Sequence, residues 1–170
     1  MQWTNTSDTG TPRVKVLAHG PAGAGKTRLC GTTGDPANTV IVSAEAGLLS
    51  LSGTAIRVAE VKNLGEVAEV LAYLETPGHG ITWVCVDSIS EIAEVCLAHA
   101  KAKNKDPRAA YGDMADAMFR LIRRFRDLPL NVYMACKQGR ESDEHGAILR
   151  GPSLPGKQLS QGIGYLFDEV

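Results

Sequence analysis

The chain has 170 residues, 44% of them apolar, which is enough for one full hydrophobic core. Aromatics make up only 5%, so that core must come mainly from Val, Leu, Ile and Ala. A formal net charge of −1 excludes a whole-molecule field drawing the protein to nucleic acid or membrane, and any polyanion site must be local.

No stretch approaches the ~20 apolar residues of a membrane span. The opening MQWTNTSDTGTP lacks a basic-then-apolar signal pattern and reads as a short polar arm over residues 1–12. Cys30, Cys85, Cys96 and Cys136 show no C-x-x-C spacing and read as small core residues in a reducing, cytoplasmic setting.

In chain order, RVKVLAHG (13–20) is a short apolar run ending in glycine and predicts a strand. GKTRLCGTTG continues it into a helix closed by Gly31 and Gly34. NTVIVSA (38–44) predicts a second strand, and the alternating TAIRVAEV (54–61) a shorter third one near a sheet edge. NLGEVAEVLAYLETPG (63–78) puts Leu64, Val67, Ala68, Leu71 and Leu74 on one helical face, with Asn63 as cap and Pro77-Gly78 as stop.

ITWVCVDS (81–88) is a continuous apolar strand, as expected where helices cover both faces of a sheet. A helix is predicted over 90–103, a loop over NKDPRAAYGD (104–113), and a helix over 114–128 with Met114, Met118, Leu121, Ile122 and Phe125 inward. NVYMAC (131–136) is another buried strand. From Lys137 to Gly156 the chain is polar and rich in Gly and Pro, which predicts a long mobile loop, and 157–170 resumes only weak order. Strands alternating with helices predict an α/β fold with a mainly parallel central sheet, as one domain over 13–170.

Residues 20–27 read GPAGAGKT, the pattern G-x-x-x-x-G-K-[ST] between a strand and a helix. That context makes Gly20, Pro21, Ala22, Gly23, Ala24, Gly25, Lys26 and Thr27, with Arg28 following, a candidate phosphate-binding loop. Gly23 and Gly25 let backbone N–H groups turn inward, Lys26 reaches the β/γ oxygens, and Thr27 offers its hydroxyl to Mg²⁺. His19, just before the loop, reads as a strand-end residue and not a ligand.

Asp87 ends a buried strand and fits the acidic residue that holds Mg²⁺ or its water, with capping of the next helix as the plainer alternative. TVIVSAEAGLLSL (39–51) reads as a buried strand running into Glu45. Burying an unpaired charge is heavily penalised, so a carboxylate there needs a task. Glu45 would stand at the same sheet edge as the phosphate loop, where open α/β sheets bind ligands. It is the better candidate to orient the attacking water; Glu91, a helical turn beyond Asp87, is the weaker one.

These residues resemble the RecA class of ATPases. There the strand after the phosphate loop carries a water-activating glutamate in a pattern like A-E-x-A-L, and this chain has SAEAGLLSL. The metal-holding strand of that class ends V-D-S, and here it reads CVDS; Ser88 stands where many helicase-like ATPases place a glutamate. A later strand ends in a polar residue that senses the γ-phosphate. Here VYMACKQGR offers Gln138 with Lys137 beside it, a departure from the usual N-Q that leaves both open.

More narrowly, GPAGAGKT, AEAGLLSL, VDSISE, RAAYGDM, LIRRFRDLP and PSLPGKQL…YLFDEV are similar to phage-encoded AAA/RecA-like nucleotide-binding proteins, including the Sak-type single-strand-annealing ATPases. Members usually continue past the position of Val170 into further strands. The resemblance implies Mg²⁺-dependent ATP hydrolysis in phage recombination or replication, single-stranded DNA as partner, assembly as a homo-oligomer, and the host bacterial cytoplasm as location. A nucleotide-gated protein-interaction module with negligible turnover is the alternative.

Two stretches could meet DNA. From Lys101 to Arg126 there are eight Lys and Arg against three Asp, with Arg120, Arg123, Arg124 and Arg126 on one helix. The plainer reading is a solvated face with Asp116–Arg120 as an i,i+4 pair. The stronger candidate is loop 139–156 with Arg140, Arg150 and Lys157. It has no aromatic residue for base stacking, so phosphate contacts would dominate. Lys157 or Arg150 could instead reach a neighbouring subunit's γ-phosphate as a trans-acting finger.

Overall fold

The computed structural model describes residues 13–45, 47–142 and 146–170. The expected N-terminal arm, residues 1–12, lies outside them. Six strands form one sheet: β1 (Lys15–Gly20), β2 (Thr39–Ser43), β3 (Arg57–Glu60), β4 (Trp83–Asp87), β5 (Asn131–Ser142) and β6 (Ile148–Ser153). The order is β1-β5-β4-β2-β3, all parallel, and β6 pairs antiparallel with the second half of β5. The helices are α1 (Lys26–Leu29), α2 (Leu64–Glu75), α3 (Ile89–Lys103), α4 (Pro107–Arg126) and α5 (Lys157–Gly162).

Strand alternation divides the core. Val40, Val42, Val84, Val86, Val132 and Met134 pack with α2, α3, α4 and α5 on the larger side. Ile41, Cys85, Tyr133 and Ala135 face a smaller cluster with Cys30 and Leu51 on the α1 side. The four cysteines are free and buried, as composition predicts. β3 is four residues long and sits at the edge, also as expected.

Four expectations need correction. The predicted loop 104–113 is mostly helix: Asp106 accepts the Arg108 N–H at 2.9 Å, and Pro107 opens α4. An acidic cap followed by proline starts a helix, and this outweighs the loop-like composition. The predicted mobile loop 137–156 is largely a β-hairpin, because β5 runs on to Ser142 and β6 returns along it.

The third correction concerns α1, which is a single turn followed by a 3-10 turn at Cys30–Thr32, so its dipole is smaller than a full helix would give. Fourth, Ala68 is exposed, whereas Val67, Leu71 and Leu74 of the same predicted face are buried. The tail at 168–170 lies beside β1: the Leu17 N–H donates to the Glu169 carbonyl at 2.9 Å, and Asp168 accepts the Lys15 N–H at 2.9 Å.

Candidate nucleotide site

The C-terminal ends of β1, β2 and β4 and the middle of β5 open onto one cleft of about 700 Å³. Loops leave a parallel sheet at these ends, so side chains just past each strand converge there. Gly20, Pro21, Ala22, Gly23, Gly25, Lys26, Thr27 and Arg28 all line it. Ala24 does not; its N–H bonds back to the Pro21 carbonyl at 3.3 Å and closes the turn. Gly23 and Gly25 adopt φ of 76° and 88°, a left-handed conformation that a side chain would strain.

The Lys26 ammonium donates to the Gly20 and Pro21 carbonyls, both at 2.9 Å, and so sits at the centre of the loop. From β5, the Tyr133 hydroxyl donates to the Lys26 carbonyl at 2.8 Å. This tether ties the first turn of α1 to the middle of the sheet. Burial pushes the Tyr133 phenol well above its ordinary range, so it stays a neutral donor.

Thr27 and Asp87 meet directly, the hydroxyl donating to the carboxylate at 2.5 Å. Asp87 is only 6% exposed, and burial pushes its carboxyl above the usual range. The Thr27 hydrogen bond pulls it down, the Glu45 charge pushes it up, and Lys26 pulls it down again. Both are hard oxygen donors at the edge of a phosphate loop, the donor chemistry that Mg²⁺ takes up together with phosphate oxygens and water. The set fits that ion.

Glu45 lies just past β2 and is exposed, so the burial cost expected of it does not arise. The chain bends away after Ser43, whose hydroxyl donates to the Glu45 carbonyl at 2.8 Å. The side chain is held at its other end, where Ser88 Oγ donates to Glu45 Oε1. The same Ser88 Oγ accepts the Glu91 N–H and caps α3. The peptide between Asp87 and Ser88 is cis.

Lys137 and Gln138 both line the cleft. Lys137 pairs with Glu91 at 3.3 Å, which occupies that carboxylate outside the cleft lining. Ser88 and Tyr133 are the participants that residue-type reasoning passed over. For Ser88 the signal was present, as a cap residue directly after the acidic strand end; for Tyr133 there was none beyond a buried hydroxyl needing a partner.

Arg140, Arg150 and Lys157 are brought together, but elsewhere, around a second cleft of about 650 Å³ between the hairpin and the α4–α5 side. The Arg-rich face of α4 is partly engaged: Arg124 pairs with Glu75 at 2.8 Å, Arg126 pairs with Asp127, and Arg123 lies over Phe119. The expected Asp116–Arg120 pair is absent among the described residues.

A family model described as an AAA domain matches residues 13–170. No curated protein matches the chain. Among the described residues, no helix is long and apolar enough to cross a membrane.

Proposed function

Because the chain belongs to the AAA-domain family and carries an α/β P-loop NTPase fold, we propose that it hydrolyses ATP with Mg²⁺, coupled to single-stranded DNA in phage recombination or replication. The observation that carries the reading is the meeting of phosphate loop, Thr27–Asp87 pair, Glu45 and Gln138 in one cleft.

In this reading the loop N–H groups and Lys26 bind the β- and γ-phosphates. Mg²⁺, held by Thr27 with Asp87 behind it, would neutralise charge developing on the phosphate oxygens. Glu45 takes its place as general base. One oxygen is held by Ser88, which leaves the other to accept a proton from the water attacking the γ-phosphorus as the β–γ bridging oxygen leaves with ADP. Gln138 donates to γ-phosphate oxygens. The hairpin arginines carry the DNA backbone, and the protein works as a homo-oligomer in the cytoplasm of the host.

The test is ATP turnover by Glu45→Gln, with and without single-stranded DNA. Glutamine keeps the size and removes the base, so ATP affinity should hold while kcat falls by roughly 10²-fold or more. Full turnover by Glu45→Gln, with loss in Glu91→Gln instead, would overturn the assignment. ATP binding by the unmodified protein without turnover would point to a nucleotide-gated interaction module.

A further inference from the structure

We propose that Tyr111 is the base-stacking platform of the hairpin cleft, so that a single strand lies with phosphates on Arg140, Arg150 and Lys157 and one base against the Tyr111 ring. This rests on the reading that the hairpin holds single-stranded DNA, and it adds a contact that the hairpin itself lacks.

The cleft is built for a polyanion. Arg140 and Arg150 stand directly opposite each other across the β5–β6 ladder. Like charges in that position repel unless something sits between them. Neither makes an ion pair among the described residues. Lys157, at the start of α5, adds a third cation, and among the described residues no acidic side chain lines the cleft.

The aromatic component comes from another element. Tyr111 lies on α4 in the stretch expected to be a loop; because α4 starts at Pro107, its ring is carried to the cleft wall. One edge of the ring rests on bare backbone: a Cβ on Gly156, where φ is 81°, would sit 3.4 Å from Tyr111 Cδ1. The residue is still 39% exposed. Lys101 Nζ lies 5.4 Å from the ring centroid, so a face of the ring is reachable from solvent. An exposed cation over a ring is held more weakly than a stacked base. A base can therefore displace Lys101 from the ring.

The experiment measures fluorescence anisotropy of two labelled probes of equal length, oligothymidylate and an abasic phosphodiester chain. The unmodified protein should bind oligothymidylate more tightly. Tyr111→Leu, which keeps bulk against Gly156, should weaken oligothymidylate binding about tenfold and leave the abasic chain unchanged, the loss expected for one base stack. Tyr111→Phe should bind like the parent.

Equal loss on both probes, or no loss on either, overturns the stacking role. The double variant Arg140→Ala/Arg150→Ala should weaken both probes together. If it weakens neither, the cleft is not the DNA site and the wider reading fails; if it weakens both while Tyr111→Leu changes nothing, only the stacking proposal falls.

Discussion

The Ser88 hydroxyl holds two groups at once, donating to the Glu45 carboxylate and accepting the Glu91 amide at the start of α3. The two roles separate by substitution. Ser88→Thr keeps both and should turn over ATP near the parent rate. Ser88→Ala removes both; losing the cap should cost about 1 kcal/mol of stability. If Ser88 also orients Glu45, kcat should fall about tenfold with ATP affinity unchanged, since one hydrogen bond to a charged group is worth on the order of 1.5–3 kcal/mol. The decisive comparison is Ser88→Ala in a Glu45→Gln background, where no further loss in kcat is expected. An additional loss there would show that Ser88 acts independently of Glu45.

At the same scale, Lys26→Ala should abolish tight ATP binding. Among the described residues its ammonium bonds only to two loop carbonyls, and it is not part of the hydrophobic core, so the melting temperature should stay close to the parent. Calorimetry giving equal ATP affinity for variant and parent would sink the phosphate-loop assignment.

At the scale of elements, Tyr133 joins β5 to the first turn of α1 through one hydrogen bond from a buried hydroxyl. Tyr133→Phe removes the donor and keeps the ring, so the Lys26 carbonyl loses a partner. Stability should fall by about 1 kcal/mol, measured by denaturant titration, with a larger fall in ATP affinity than in stability if the tether fixes the loop. Equal affinity in the two proteins would make the tether purely structural.

The elements that position the nucleotide cleft were legible in the sequence because their signals are local. GPAGAGKT carries its own glycines, and Val84, Cys85 and Val86 run unbroken into Asp87. The hairpin was not legible. Lys137 to Gly156 has turn-rich composition, and neither KQGRES nor ILRGPS carries the alternating apolar pattern that marks a strand, so nothing local signals the pairing of Arg140 with Arg150. The start of α4 departs from its expected loop for the opposite reason. Asp106-Pro107 is a local start signal, but Gly112 and the polar residues around it weigh toward a loop. Tyr111 lies in that stretch. Glu45 stands at the expected sheet edge but exposed, since its place past the strand end depends on the bend held by Ser43.

At the scale of the whole molecule, the net charge of −1 gives no general attraction to DNA, so the proposed DNA binding would depend on the few cations at the hairpin. That makes the salt dependence a count of contacts. For single strands the slope of log K against log salt is about −0.7 per phosphate neutralised, so Arg140, Arg150 and Lys157 together give roughly −2. Affinity should then drop about twentyfold between about 50 mM and 200 mM salt. Arg140→Ala with Arg150→Ala leaves one of the three cations, and the slope should flatten to about −0.7. Removing Arg120 and Arg123 from the face of α4 should leave it near −2, because neither lines the cleft. Anisotropy titrations of a single-stranded oligonucleotide across that salt range measure all three slopes. If the α4 variant flattens the slope and the hairpin variant does not, DNA runs along α4 and the hairpin arginines serve another anion.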